Sequence, residues 1–202
     1  MTLKDVVFQI RHGFRGVPRT VGSQTYRFDE SLRRWNFDGE QEVRKALTQH
    51  LHAGDTAIDI GANFGMHTLI MAERIGSDGR LLAFEPIPEN LRLLQRNVKL
   101  NHFLDRVTIQ QAAISDQAVD TIEMVVDSDQ LEPSASLQTD TTQGCETVSV
   151  RNISLDHATA SVEAGSKCLV KLDVEGAELS VLRSGEDFLQ RVKPKLLIEV
   201  HD

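Results

Sequence analysis

Acidic side chains near the ends of predicted strands are the residues of this sequence best placed to do chemistry. Asp59 lies in the apolar run TAIDI and is followed by Gly61 and Gly65. Glu85 ends the run RLLAFE, and Asp173 follows the run CLVKL. In an open parallel sheet, ligands bind at the carboxyl ends of the strands. These residues therefore predict a ligand site that carries several carboxylates.

The two glycines predict a tight turn directly after Asp59. Gly61 and Gly65 let the backbone bend and approach a ligand closely. A helix predicted to begin near Asn63 would present unpaired backbone amides, which favour a carboxylate or a phosphate. Asn63 and Asp59 are also candidates for capping this helix.

Glu85 indicates that the ligand carries a nucleoside, because a carboxylate at this strand end can accept hydrogen bonds from both ribose hydroxyls. The spacing GANFG differs from the G-x-G-x-x-G of dinucleotide sites. Asp59 would repel a pyrophosphate but attract an ammonium group. The charges therefore favour S-adenosylmethionine, which has an α-amino group and a sulfonium, over a nicotinamide dinucleotide.

From residue 56 onward, short β-rich runs alternate with helical periods. This alternation predicts an α/β fold with a mostly parallel sheet and helices on both faces. Residues 117–153 interrupt it and are interpreted as an inserted β-hairpin. The predicted strands are 56–60, 80–85, 106–114, 168–174 and 195–200, and the predicted helices are 63–75, 88–101, 155–164 and 177–192.

Length and composition exclude several classes of protein. A chain of 202 residues with 40% hydrophobic and 26% charged residues is typical of one globular domain. A net charge of −8 argues against nucleic acid as a partner, and no apolar run approaches the roughly 18 residues of a membrane span. The first residues lack a secretory signal, so we expect a cytoplasmic protein with Cys145 and Cys168 as unpaired thiols.

The first 50 residues show the weakest pattern and are predicted to form a lead-in or cap before a ligand-binding domain at 51–202. Residues 1–36 hold seven Lys or Arg against three acids. We interpret this basic segment as solvated or loosely packed.

Several longer runs resemble the FkbM family of methyltransferases: AFEPIPENLRLLQRN, AAISD, KLDVEGAELSVL and LLIEVH, together with the FG turn. The resemblance covers about residues 55–202. It implies a Rossmann-like class I methyltransferase fold that uses S-adenosylmethionine to methylate a hydroxyl oxygen on a sugar, polyketide or other small metabolite.

The resemblance also implies which residues bind the cofactor. Ala113 is expected near the adenine and Asp173 beside the methionine end, and the SASL run at Ser134–Leu137 resembles the family's loop near the substrate. The other implied cofactor residues are Asp59, Gly61, Ala62, Asn63, Gly65 and Glu85.

Methyl transfer to an alcohol needs an in-line arrangement of the reacting atoms and benefits from a base that removes the hydroxyl proton. Glu175 and Glu178 are equally suited to favouring the start of the following helix. We interpret Lys171 as neutralising this acidic end rather than as a catalytic residue. The candidate bases at the strand ends are Asp173, Glu199 and His201, with Glu175 as a fourth.

Family members continue beyond the LLIEVH strand, so a chain that stops at Asp202 is either a short member or part of a longer protein. The strand 195–200 is then an apolar edge to which a second copy could pair. No metal-ligand spacing is present, and no metal is predicted. The alternatives are a non-catalytic S-adenosylmethionine-binding module and, third, a nicotinamide-dependent oxidoreductase.

Overall fold

The computed structural model describes residues 15–127, 135–136 and 145–201. The strands are β1 (Val17–Val21), β2 (Gln24–Phe28), β3 (Thr56–Ile60), β4 (Arg80–Phe84), β5 (Val107–Gln110), β6 (Ala113–Ile114), β7 (Thr121–Asp127), β8 (Ala135–Ser136), β9 (Cys145–Ile153), β10 (Cys168–Leu172) and β11 (Lys195–Ile198). The helices are α1 (Gln41–His50), α2 (Met66–Ile75), α3 (Pro88–Leu100), α4 (Leu155–Ala158), α5 (Glu178–Arg183) and α6 (Glu186–Val192), with a 3-10 helix at Glu30–Arg34.

The central sheet has five parallel strands in the order β11-β10-β3-β4-β5. From β3 the chain moves outward through β4 to β5, and it then returns to the other side of β3 to form β10 and β11. The direction of winding therefore reverses between β3 and β10, which is where sheets of this kind bind ligands. In the register of this pair, Asp59 lies opposite Lys171.

Helices cover both faces of the central sheet. Successive residues of each strand point to opposite faces, so each strand contributes side chains to two apolar clusters. On one face Ala57 and Leu169 pack with residues of α1, α2 and α3. On the other face Ile58 and Val170 pack with residues of α4, α5 and α6. The predicted α/β fold with a mostly parallel sheet is confirmed. The alternation of side chains along β3 and β10 also places Asp59 and Lys171 on the face of the sheet that α2 covers.

The segment before α1 is packed into the protein, so our prediction of a solvated or loosely packed segment is wrong for the described residues from 15 onward. β1 and β2 form an antiparallel hairpin whose Val17 and Phe28 side chains are buried in the core. Asn97 of α3 accepts a hydrogen bond from the backbone N–H of Asp29 at 2.7 Å. The segment packs against the protein because apolar side chains alternate with polar ones along the hairpin strands, and the apolar side faces α3.

The predicted hairpin within 117–153 is confirmed, since β7 and β9 pair antiparallel from Thr121↔Arg151 to Asp127↔Cys145. The prediction of one strand over 106–114 is wrong. Its first half, β5, pairs with β4, whereas its second half, β6, pairs parallel with β9 in a separate sheet. The chain thus leaves the central sheet at Gln111, and the hairpin of β7 and β9 belongs to the separate sheet.

Two predicted helices differ from the observed ones in extent. The helix predicted over 177–192 is two helices with a break at Gly185, where an added Cβ would lie 2.5 Å from the Leu155 side chain. The break lets α4 pack closely against this segment. The helix predicted over 155–164 ends at Ala158. β11 is an edge strand of the central sheet and ends at Ile198.

Candidate functional site

The loop between β3 and α2 lies over the end of β10. Its backbone is left-handed at Gly61, Asn63 and Gly65, with φ of 77°, 50° and 93°. A Cβ at Gly61 would lie 1.8 Å from the carbonyl oxygen of Asp173. Glycine is therefore required at position 61 both by its φ and by the close approach of the two chain segments.

The backbone amides of residues 61–65 are already hydrogen-bonded within the protein. Two of them donate to the carbonyl of Phe84, and that of Asn63 donates to the Glu85 carboxylate at 2.8 Å. The prediction that a helix beginning near Asn63 offers unpaired amides is thus wrong for these five residues. The helix begins at Met66, because left-handed residues at 63 and 65 cannot continue a right-handed helix.

Glu85 is enclosed at the end of β4, with only 4% of its surface exposed. Besides the Asn63 amide, its carboxylate accepts a hydrogen bond from the backbone N–H of Ile87 at 2.9 Å. Burial raises the pKa of this carboxyl to about 7, although these hydrogen bonds oppose the shift. The Asn90 side chain contributes a third hydrogen bond. A carboxylate has about four acceptor positions, so one remains that can accept a ribose hydroxyl.

Ala113, implied to lie near the adenine, is buried in a small apolar cluster with Ile87. Ile87 lies two residues beyond Glu85. The structure therefore brings Ala113 to the same side of the sheet end as Glu85. Ala62 is also buried, in the loop of residues 61–65 between β3 and α2, called the glycine loop below.

The raised pKa of Glu85 predicts a specific dependence of stability on pH. An unfolded chain releases this proton near pH 4.5, whereas the folded chain keeps it to about pH 7, so folded stability falls as the pH rises through this window. A Glu85→Gln variant lacks this contribution. We expect the free energy of unfolding of the wild type, relative to the variant, to fall by about 2 kcal/mol between pH 5 and pH 7. Urea unfolding at both pH values measures it, and parallel pH profiles would contradict the assignment.

Asp59 is fully buried beneath the glycine loop. Its Oδ2 atom accepts a hydrogen bond from the Thr68 hydroxyl of α2 at 2.6 Å. Its Oδ1 atom lies 3.7 Å from the Lys171 ammonium and, among the described residues, has no hydrogen-bond partner. Burial raises the pKa of this carboxyl, and Lys171 and Thr68 oppose the shift. Asp59 thus keeps one polar atom to which no described residue donates a hydrogen bond.

Lys171 joins the ends of β3 and β10 through two ion pairs. Its ammonium is buried and lies 3.1 Å from Asp173 Oδ2, in addition to the contact with Asp59. Burial alone would lower the pKa of Lys171, but these two carboxylates outweigh it and raise the pKa. The side chain therefore stays cationic and has the neutralising role that we predicted.

Three carboxylates surround His201. Its Nδ1 atom lies 3.1 Å from Glu178 Oε1, and its Nε2 atom lies 3.8 Å from Asp173 and 3.9 Å from Glu175. The hydrogen bond to Glu178 is the main reason that the pKa of His201 is raised. The proton-bearing form is favoured, which makes His201 less suited to act as a base. Glu178 also accepts the Gly176 amide at 3.0 Å, in the first turn of α5.

Glu199 follows β11, and its backbone amide donates to the carbonyl of Leu172 at 2.9 Å. Its carboxylate, like that of Asp173, acts electrostatically on the side chain of Glu40. Glu40 precedes α1 and was not predicted as a site residue. It lies in a segment without a readable pattern, and only the tertiary packing of that segment brings it to this end of the sheet.

Of the predicted substrate loop 134–137, only the backbone of residues 135–136 is described. Within the described ranges, no group of three or more His, Cys, Asp or Glu side chains is arranged to hold a metal ion. No helix of the described part of the chain is long and apolar enough to cross a membrane.

Comparison with known proteins identifies the family. The family model described as the methyltransferase FkbM domain matches residues 59–202. The chain belongs to the FkbM methyltransferase family. The resemblance carried by the sequence runs is therefore confirmed. The part of the chain matched to the FkbM domain holds the glycine loop, Glu85, Lys171 and Asp173, whereas Glu40 lies outside it.

Two curated relatives cover most of this FkbM-family chain. The hexuronic acid methyltransferase AglP of Haloferax volcanii is 28% identical over 163 residues, which span 81% of this chain and 63% of the relative. Methyltransferase 1 of Beauveria bassiana is 29% identical over 164 residues, which span 72% of this chain and 64% of the relative. The chain thus spans less than two thirds of the length of either relative.

Among solved structures, a methyltransferase from Geobacter sulfurreducens matches 79% of this chain and 60% of its own, at 12% identity and a TM-score of 0.45. This likeness is too weak to add to the fold assignment, which follows from the strand order and register of the FkbM-family chain itself.

Proposed function

We propose that this chain is an S-adenosylmethionine-dependent methyltransferase that methylates a hydroxyl oxygen of a sugar or another small metabolite. Membership of the FkbM family supports the reaction class. The observation that carries the proposal is the excess of carboxylates around one lysine where the winding of the sheet reverses. Such a site favours a ligand with localised positive charge.

The residues present fit this cofactor. When bound, S-adenosylmethionine supplies a methyl group on a positively charged sulfur. Asp59 Oδ1 is buried and lacks a hydrogen bond among the described residues, which suits a cationic donor. Glu85 lies at the end of the neighbouring strand and keeps an acceptor position for a ribose hydroxyl. Gly61 lets the loop after β3 lie directly against the backbone at the end of β10.

Catalysis by these residues consists mainly of positioning and proton transfer. Lys171 fixes Asp173 relative to β3, so the carboxylate at the end of β10 stays in place. Asp173 is about a quarter exposed and remains accessible to a substrate. When an acceptor hydroxyl is methylated, its proton would pass to a carboxylate of this chain, for which Asp173 and Glu199 are the candidates. His201 hydrogen-bonds to Glu178 and lies 3.8 Å from Asp173.

The acceptor class is proposed from the relative whose name states one. AglP of Haloferax volcanii is a hexuronic acid methyltransferase and is 28% identical to this chain. We propose hydroxylated sugars, including uronic acids, as the first acceptors to test.

The proposal is tested by incubating the protein with S-adenosylmethionine labelled in its methyl group and a panel of hexuronic acids and neutral hexoses. We expect label in a product that resists mild alkali, since a methyl ether survives alkali and a methyl ester does not. Label in an alkali-labile product would refute transfer to a hydroxyl. Cofactor binding without transfer to any sugar or other hydroxylated metabolite would favour a non-catalytic binding module.

A further inference from the structure

Glu40 has a backbone conformation that is unusual for its residue type. Its φ is 53° and its ψ 38°, in the left-handed region, where a residue other than glycine or asparagine is strained. Although it precedes α1, its side chain makes no capping hydrogen bond to that helix. Capping therefore does not account for the strained conformation, which instead directs the side chain toward α2.

The Glu40 carboxylate faces His67, the second residue of α2. His67 Nε2 lies 3.1 Å from Glu40 Oε2, but the contact does not have hydrogen-bond geometry, and Nε2 makes no hydrogen bond among the described residues. Burial lowers the pKa of His67 well below its usual value, and the charges of Lys171 and Arg44 lower it further. A neutral imidazole carries no charge that could offset the charge of the Glu40 carboxylate.

Charges of both signs act on the Glu40 carboxylate. Lys171 and Arg44 favour its charged form, whereas Asp173 and Glu199 disfavour it. The charge of Lys171 is already shared by its ion pairs with Asp59 and Asp173. Two buried polar atoms, Asp59 Oδ1 and His67 Nε2, lack hydrogen bonds within the described residues. The Glu40 side chain itself is 44% exposed, so a ligand can reach it.

A compact cation with several N–H donors matches this set of acceptors. An α-ammonium group carries three donors and one positive charge. Glu40 and Asp173 lie toward β10, whereas Glu85 lies at the end of β4, two strands away and roughly 10 Å across the sheet. That separation suits a ligand whose ribose lies at Glu85 and whose amino acid group extends toward β10.

We propose that Glu40, supported by His67, binds the α-ammonium group of S-adenosylmethionine, so that the segment before α1 completes the cofactor site. This inference rests on the proposed function. It assigns a cofactor contact to a residue outside the part of the chain matched to the FkbM domain.

Calorimetry with two probes tests the proposal without any acceptor. S-Adenosylhomocysteine carries the ammonium group, whereas 5′-methylthioadenosine lacks the amino acid entirely. For Glu40→Gln we expect the Kd of S-adenosylhomocysteine to rise about 10-fold or more, the scale of a lost charged hydrogen bond, and that of 5′-methylthioadenosine to stay within about twofold. Glu40→Asn serves as a second variant, because asparagine tolerates the left-handed backbone.

Glu89→Gln is the matched control, since Glu89 is an exposed acid that pairs with Arg92 on the surface of α3. We expect it to change neither Kd. Unchanged binding of S-adenosylhomocysteine by both Glu40 variants, or an equal loss for both probes, would overturn the ammonium contact while leaving the proposed function intact. Failure of the wild type to bind either probe would instead refute the proposed cofactor, and this inference with it.

Discussion

Gly61→Ala is expected to lower the free energy of unfolding by more than about 4 kcal/mol, a loss that few single substitutions cause. The φ of 77° at Gly61 disfavours any side chain, and the new Cβ would lie 1.8 Å from the carbonyl oxygen of Asp173. That oxygen belongs to the backbone at the end of β10, so it cannot rotate away as a side chain would. The two strand ends must separate.

Gly165→Ala is a close control for this variant. Gly165 has a φ of 78°, but an added Cβ there would meet no atom within 4 Å. Its cost is the backbone strain alone, about 1 to 2 kcal/mol. Urea unfolding of both variants separates strain from steric overlap. Equal destabilisation of the two would show that the loop and β10 do not approach each other as described.

Lys171→Met is expected to destabilise the fold by about 3 to 5 kcal/mol at neutral pH, since it leaves the fully buried Asp59 carboxylate without its cation. Methionine has a similar length and is apolar, so the packing volume is largely preserved. The exposed pair Lys45 and Glu42 provides the comparison, and Lys45→Met should cost at most about 1 kcal/mol.

A double-mutant cycle identifies the cause of the Lys171→Met effect. Adding Asp59→Asn to this variant removes the unpaired charge, so we expect the double variant to regain about 2 kcal/mol relative to Lys171→Met alone. Chemical unfolding of the four proteins gives the coupling energy. If the changes in the free energy of unfolding caused by the two substitutions are additive, Lys171 and Asp59 do not interact in the folded chain.

The sheet and the order of its acidic residues could be predicted because both depend on local patterns. Apolar runs of strand length followed by helical periods predict parallel strands, and parallel strands bring their carboxyl ends to one edge. Asp59, Glu85 and Asp173 therefore had to lie near one another. Which atoms they contact could not be predicted in this way.

The remaining features depend on tertiary contacts that no local pattern encodes. Glu40 belongs to the segment before α1, which is held in place by tertiary contacts such as the hydrogen bond from the backbone of Asp29 to Asn97 of α3. Asp59 was likewise expected to contact a ligand directly, but its carboxylate is fully buried beneath the overlying loop and accepts a hydrogen bond from Thr68. The loop amides were expected to be unpaired, whereas the end of β4 and Glu85 bind several of them.

A crystal structure of the protein with S-adenosylhomocysteine tests the central claim most directly. We predict that the adenosyl group lies beside Gly61–Gly65, with its ribose hydroxyls at Glu85 and its amino acid group at the ends of β3 and β10 near Asp173. A product molecule bound at any other surface, with the carboxylates around Lys171 unchanged and uncontacted, would contradict the proposed cofactor site.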